Sequence, residues 1–562
     1  MIKEKSDAPF QRPSEEKRCI GVKSYWKDLK SEFAAYNAGK FAKDLMARVM
    51  VAAVALPLAL AFGVGSGASA AAGLLTAVIC GFVISLLGGA FYQISGPTGA
   101  MAAILMSIVA QYGMSGVFAA AVLAGILLIL AGVFHLGRVT AYLPMPVITG
   151  FTSGIAVVIA LGQVGNFFGT ASKGNTSVEK LLDWLTGGIF QINLGALALG
   201  CFVVLFMVFY PKRWNNVVPA SLVSIILATV LALFVFPDVA RVGEIPTTLL
   251  LPERFSFSGL NFDKIQALLP PAISIAALGM IESLLCGASA ARMTGVALNS
   301  DRELIAQGVG NLLSPFFGGI PATAAIARTS VAIKSGAQTR LTGMIHAVVL
   351  LISMLLLAPV MAQIPLSALA GVLMVTAWRM NEWETIRYLF SHRFKGAILK
   401  FTATMAATIL FDLSIAILAG VIVALILLVV RLSRLEIHYD KVNPERSNAP
   451  GEIAQEYRSA QVVYVTGAVI FANTEQISAV YDAVKEAPAV IFSMRGTSYM
   501  DISGAQNFLQ LIERLKNENK TIAVCGVSDS VCEMMHRSGI ADCVGKEHFY
   551  WSVARALQSA QP

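Results

Sequence analysis

Two short stretches of glycine, proline and hydroxyl residues stand directly ahead of apolar runs in this sequence. They are Ser95-Gly96-Pro97-Thr98-Gly99 and Gly318-Gly319-Ile320-Pro321-Ala322-Thr323-Ala324-Ala325. Proline is tolerated at a helix start, where its missing N–H is not needed, and glycine lets a ligand approach the backbone closely. Each stretch therefore reads as the start of a short, interrupted helix. A helix N-terminus presents free N–H groups and roughly half a positive charge. Two of them facing each other offer about one positive charge in total, which suits an anion. Ser95, Gly96, Thr98 and Gly99 in one stretch, and Ala322, Thr323, Ala324 and Ala325 in the other, form the candidate binding set. An ordinary kink or tight turn is the competing reading of either stretch alone.

Glu282 stands in the apolar run Ala276-Ala277-Leu278-Gly279-Met280-Ile281-Glu282-Ser283-Leu284-Leu285. A carboxylate at mid-membrane depth costs roughly 3 kcal/mol on insertion scales, so it must face the protein interior or a wet cavity. It is the candidate carrier of a co-transported proton, because protonation removes its repulsion of an anion. A structural carboxylate bonded to a neighbouring helix is the alternative. Arg328 lies five residues beyond Thr323. Its side chain either reaches back to the anion-binding end as a charge partner or snorkels to the cytosolic surface.

The elements that hold these residues are membrane helices. Of 562 residues, 56% are apolar and 14% charged, too little charge for a soluble surface of this size. Fourteen apolar elements are expected near 48–65, 69–88, 97–110, 116–135, 145–167, 191–210, 217–236, 267–291, 301–317, 323–333, 340–362, 365–378, 396–411 and 413–431. The third and tenth are short and follow the two glycine/proline stretches. They hold matching places in two seven-segment halves, and an odd number of segments makes the halves inverted repeats. Paired broken helices in inverted repeats mark a midplane site in secondary transporters.

The basic residues set the orientation. With a cytosolic N-terminus, the inside loops hold Arg138, Lys212, Arg213, Arg292, Arg302, Lys334, Arg340, Arg379, Arg387, Arg393 and Lys395, as the positive-inside rule requires. The net charge of +8 is thus a topology signal, and no nucleic acid is expected. Residues 1–47 are expected as a cytosolic lead-in whose stretch Val22–Ala42 lies along the membrane surface, 48–431 as the transport domain, 432–451 as a linker and 452–562 as a soluble domain. In the last, Val462–Val465, Ala489–Phe492 and Thr521–Val524 read as strands, and Glu475–Lys485, Ser503–Asn517 and Asp529–Ser538 as helices. That alternation predicts a small α/β domain with a mainly parallel sheet. Ser300-Asp301-Arg302-Glu303 fits a capping box. His135 and His346 are expected to be packed side chains rather than reactive ones.

Gln93-Ile94-Ser95-Gly96-Pro97-Thr98-Gly99, Gly279–Leu285 and Pro321-Ala322-Thr323-Ala324-Ala325 resemble the SulP family of anion transporters, over nearly the whole chain from about residue 44. The resemblance implies an α-helical polytopic membrane protein of fourteen transmembrane segments in two inverted repeats, a core and a gate, with the substrate between the two half-helix ends. It implies homodimers, a bacterial inner membrane with both termini cytosolic, and a C-terminal cytosolic STAS domain. Asp501-Ile502-Ser503-Gly504 matches the loop that carries a phosphorylatable serine in soluble relatives; here Ser503 is a candidate regulatory site, or the stretch is a plain helix start capped by Asp501 or Ser503.

Ile281–Cys286, Ala322–Arg328 and Pro365–Leu369 look most like the DauA-like C4-dicarboxylate branch of that family. This implies proton-coupled movement of succinate, fumarate or aspartate, with sulfate or bicarbonate as the alternative. An anion channel, or a signalling scaffold with a cytosolic protein partner on the STAS domain, is the alternative of another class. Membrane lipid is a further expected partner. No nucleophile, base and oxyanion set and no nucleotide-binding loop is present, so neither an enzyme nor a cofactor is expected. The seven cysteines are scattered and without metal-ligand spacing, so no metal is expected.

Overall fold

A computed structural model describes residues 22–33, 38–90, 92–138, 144–170, 192–215, 218–258, 261–337, 339–411, 413–442 and 453–558. The chain divides into two compact units, residues 1–421 and 422–562.

The first unit is helical. Its principal helices are α1 (Val22–Phe33), α2 (Ala38–Gly65), α3 (Ala70–Leu87), α4 (Gly99–Val133), α5 (Met145–Phe168), α6 (Leu194–Phe209), α7 (Ala220–Phe234), α8 (Phe262–Thr294), α9 (Ser300–Phe317), α10 (Ile326–Lys334), α11 (Leu341–Met361), α12 (Leu366–Met380), α13 (Trp383–Ser391), α14 (Lys395–Leu410) and α15 (Leu413–Leu432), the last of which runs on into the second unit. Among the described residues, α3, α4, α5, α8 and α11 are long and apolar enough to cross a membrane, and shorter apolar helices accompany them. Every expected element has its helix. The third and fourth are run together as α4, which is broken at Gly113 (φ 68°, ψ −177°), a backbone conformation glycine adopts at no steric cost.

Polar caps start several helices. Ser69, Asn193, Asn261 and Asn299 accept the backbone N–H three residues on with their side-chain oxygens, which satisfies donors that lipid cannot. Asn299, not Ser300, is therefore the cap of α9. The Glu303 carboxylate does not turn back to the helix start as a capping box requires. It accepts Gly89 N–H (3.0 Å) and Ala90 N–H (3.2 Å) of the segment after α3. Asp301 takes His135 Nδ1 at 2.8 Å, and that histidine is exposed rather than packed inside. His346 is fully buried.

The helices pack as two groups. α3, α4, α8, α9, α10 and α11 surround the two interrupted segments, while α5, α6, α7, α12 and α14 pack on one another. α4 and α9 approach to backbone distance: a Cβ on Gly125 would meet Gly308 O at 2.7 Å, and one on Gly308 would meet Gly125 O at 2.6 Å. Lipid supplies no hydrophobic drive between helices, so such small-residue faces and the close packing they allow hold the bundle together.

α1 is more firmly held than a helix resting on lipid. The Glu32 carboxylate accepts Arg340 N–H (2.6 Å) and Nε–H (2.8 Å), with side chains 4% and 2% exposed. Tyr25 lies under the guanidinium groups of both Arg302 and Arg340. Arg340 is thus a structural bolt as well as a topology charge. α13 is a polar-faced helix that the apolar count passes over. Residues 1–21, with Cys19, lie outside the described residues.

The second unit holds a five-stranded sheet, β3 (Glu436–Lys441), β4 (Gln461–Val469), β5 (Ala489–Met500), β6 (Thr521–Cys525) and β7 (Phe549–Tyr550), in that spatial order. β4 through β7 are parallel and β3 is an antiparallel edge. β3 falls in the stretch expected to be linker. The breakers Asn443, Pro444, Asn448, Pro450 and Gly451 lie outside the described residues. α16 (Thr474–Val484), α17 (Ile502–Asn517) and α18 (Asp529–Arg537) bury Ile477, Phe508, Leu511 and Met535 against Val463, Phe492 and Val524 of the sheet. Full burial of each such side chain contributes about 1.5–3 kcal/mol against exposure.

Candidate functional site

Ser95-Gly96 and Thr323-Ala324 form two strands of two residues each, β1 and β2, paired antiparallel with Ser95 opposite Ala324 and Gly96 opposite Thr323. α4 starts three residues after β1 and α10 two residues after β2. The two interrupted segments are thus brought together, and each strand is followed by a helix N-terminus. Ala325 N–H donates to Ile94 O (2.9 Å) and Ile94 N–H to Thr329 Oγ1 (3.0 Å), which extends the tie on the same side.

Glu282 stands between the two segments. Thr98 Oγ1 donates to Glu282 Oε2 at 2.9 Å and Thr323 Oγ1 donates to the same oxygen at 2.5 Å. Thr98 also caps α4, its hydroxyl accepting Met101 N–H (3.3 Å). Ala325 caps α10 and offers no side-chain bond, so the first N–H groups of α10 keep their donor capacity. Glu282 is half-buried, whereas Thr98 and Thr323 are buried.

Arg328 is 1% exposed, so it does not snorkel. It reaches across to the other segment, where Nη2 donates to Pro97 O at 2.6 Å. Its Nη1 has no partner among the described residues, and a Cβ on Gly96 would stand 2.8 Å from that atom. Glycine at 96 is what admits the guanidinium. Gly99 has a similar use on the far side, because a Cβ there would meet Ile159 of α5 at 2.6 Å, Phe62 of α2 at 3.2 Å and Met380 of α12 at 3.3 Å. The start of α4 is covered by apolar side chains, while Ile326 and Ala327 at the start of α10 are exposed.

Ser95 and Ala322 serve the frame rather than the opening. The Ser95 hydroxyl accepts Gln307 Nε2 at 3.0 Å, and the backbone of Ala322 is held by Asn311. Thr76 of α3 accepts Ile320 N–H at 2.7 Å. Sequence reasoning passed over Thr76, Gln307 and Asn311. The signal was available: uncharged polar residues on one face of apolar helices must find partners inside the protein. No group of histidine, cysteine, aspartate and glutamate among the described residues is arranged to hold a metal. Ser503 lies in the second unit, at the start of α17. There Asp501 is the cap, accepting Gly504 N–H at 2.7 Å and Phe471 N–H at 2.9 Å; the Ser503 side chain is not the cap.

The arrangement can hold a small anion. Two helix N-termini contribute about one positive charge together and Arg328 a second, offset by Glu282 when it is ionised. The hydroxyls of Thr98 and Thr323 are donors for oxygen atoms.

The comparisons with known proteins agree with this reading of the fold. The Sulfate permease family matches residues 41–404 and the STAS domain residues 453–556. A Bacillus subtilis protein named "Putative sulfate transporter YvdB" is 36% identical over 527 residues, 92% of this chain and 97% of its own. The bicarbonate transporter BicA of Picosynechococcus sp. is 31% identical over 541 residues, 92% of this chain and 94% of its own. The solved transmembrane domain of a cyanobacterial BicA superposes with a TM-score of 0.64 at 32% identity, covering 69% of this chain and 98% of that one. Murine Solute Carrier 26 family member A9, solved in an inward-facing state, shares the fold over 99% of both chains, with a TM-score of 0.83 at 18% identity.

Proposed function

The chain belongs to the sulfate permease family of secondary anion transporters, and on that premise we propose that it carries a small inorganic oxyanion, sulfate foremost, together with a proton on Glu282. The convergence of Thr98 and Thr323 on one oxygen of Glu282 carries the proposal. Those hydroxyls are the donors an oxyanion needs, and an ionised Glu282 occupies them. Protonation of Glu282 weakens its hold on them and raises the local charge from about +1 to about +2, counting the two helix ends and Arg328. A dianion matches the protonated site; a monoanion matches the ionised one. Bicarbonate is the second reading, favoured by the likeness to BicA over its whole transmembrane domain.

The names of the relatives, sulfate and bicarbonate transporters, support these anions above the C4-dicarboxylates expected from the motifs. The protein works by alternating access in a bacterial inner membrane, both termini cytosolic and as a homodimer, with residues 48–431 as the transport part and 452–562 as the STAS part. The test is uptake of ³⁵S-sulfate into proteoliposomes with and without an inward proton gradient, challenged by bicarbonate and succinate. Gradient-driven, saturable sulfate uptake that bicarbonate inhibits more than succinate is expected. Succinate uptake without sulfate uptake overturns the assignment, and uncoupled current through the protein overturns the carrier mechanism.

A further inference from the structure

α9 carries two amide side chains one turn apart, Gln307 and Asn311, both fully buried. Spacing of four places them on one face of the helix, and each reaches a different arm of the site. Gln307 Nε2 donates to Ser95 Oγ at 3.0 Å, next to the Gly96 position of β1, and also to Glu303 Oε1 at 3.0 Å. Asn311 Oδ1 accepts Ala322 N–H at 2.7 Å, while its Nδ2 donates to Ala322 O at 2.9 Å and to Gln307 O at 2.8 Å. The Asn311 amide thus closes the same donor and acceptor that a third strand would.

Two strands of two residues cannot hold their own register, since even a full isolated hairpin is marginal in water. The holding must come from outside the pair, and α9 supplies it on both sides. α9 is itself seated against α4 through the Gly125–Gly308 contact, so its face is a fixed reference. Neither amide has a hydrogen bond to Glu282, Thr98 or Thr323 among the described residues.

We infer that Gln307 and Asn311 are positioning residues for anion binding: from one face of α9 they set the register of the two half-helix ends, and so the convergence of Thr98 and Thr323. The role rests on the anion site proposed above. It predicts a loss of affinity rather than of turnover, because the groups that meet the anion are all retained.

The experiment uses the full chain in proteoliposomes with ³⁵S-sulfate and, separately, ¹⁴C-bicarbonate. Asn311→Ala is expected to raise KM at least tenfold with the maximal rate within threefold of wild type. Placed on Thr323→Val, the same change is expected to add less than twofold, because the hydroxyl it positions is gone. An unchanged KM in folded protein, a fall in maximal rate alone, or full multiplication of the two KM effects overturns the inference. Should Asn311→Ala not fold, Gln307→Leu is read by the same criteria against Thr98→Val. A second readout needs no transport. A Ser95→Cys/Ala324→Cys pair stands across the strand register, and its oxidation to a disulfide is expected to slow at least tenfold when Asn311→Ala is added. An equal rate overturns the inference. If wild type moves neither anion while that slowing is seen, the proposed function fails and only the setting of the strand register by α9 stands.

Discussion

The two interrupted segments occupy matching places in the chain, yet they are built differently. At the first, Thr98 is both the cap of α4 and a donor to Glu282, and Gly99 is closed over by Phe62, Ile159 and Met380. At the second, Thr323 donates to Glu282 from three residues before a helix start that has no side-chain cap, and the start itself is exposed. The cation that serves both, Arg328, belongs to the second and is spent on the backbone of the first. On the proposed function, repeat symmetry explains where the site is, and the departures from it explain its charge. The capped, covered end is the rigid wall. On the proposed reading, the open end without a side-chain cap is the one a ligand meets.

The largest effect should come from removing the shared cation. Arg328→Ala deletes a buried charge that crosses between the segments and leaves the Pro97 carbonyl without its charged donor; loss of such a hydrogen bond costs about 1.5–3 kcal/mol. Sulfate uptake is expected to fall at least a hundredfold in protein that still elutes as wild type, with Arg328→Lys recovering only part. If Arg328→Ala transports normally, the cation belongs to the frame alone and the asymmetry has no electrical meaning.

The next effect is on pH dependence. Wild-type sulfate uptake is expected to rise as pH falls, because protonation of Glu282 removes its negative charge and weakens its hold on both hydroxyls. Glu282→Gln, fixed in the neutral form, should give uptake that no longer varies with pH and no longer accumulates sulfate against its gradient. A variant that keeps the wild-type pH profile places the proton elsewhere.

The finest test separates the two threonines. Loss of a hydrogen bond to a charged group is worth about 1.5–3 kcal/mol, so Thr98→Val and Thr323→Val should each raise the KM for sulfate tenfold or more. Thr98→Val should be worse by about 1 kcal/mol, roughly fivefold, because it also strips the cap from α4. Thr98→Ser, which restores the cap, should remove that excess. Equal penalties would mean that capping contributes nothing to the wall.

Much of this was legible in the residues. Glu282 in an apolar run, and glycine, proline and threonine ahead of two short helices, are types that a membrane interior tolerates only for a reason. Other features gave weaker signals. β3, Glu436-Ile437-His438-Tyr439-Asp440-Lys441, is an edge strand with little apolar content, so its composition matches a linker. α13 hides because Glu384 and Arg387 interrupt its apolar residues. The Ser95 hydroxyl counted as a ligand donor in the sequence, but its direction depends on Gln307, 212 residues away, and no local pattern encodes that. The side toward which Arg328 would turn was open for the same reason, since Pro97 lies 231 residues before it.

The single oxygen of Glu282 that receives both threonine hydroxyls has one more consequence. On the proposed reading, the two threonine donors of the site are not vacant without cargo: they are filled by an anion covalently attached to the same chain. A tethered group competes at a high effective concentration, fixed by geometry and independent of the medium. Any free anion must displace it or wait for a proton to do so. Under the proposed function, the dissociation constant measured from outside therefore understates the strength of the contacts made inside, and anions that interact only weakly are turned away without any gate having to close.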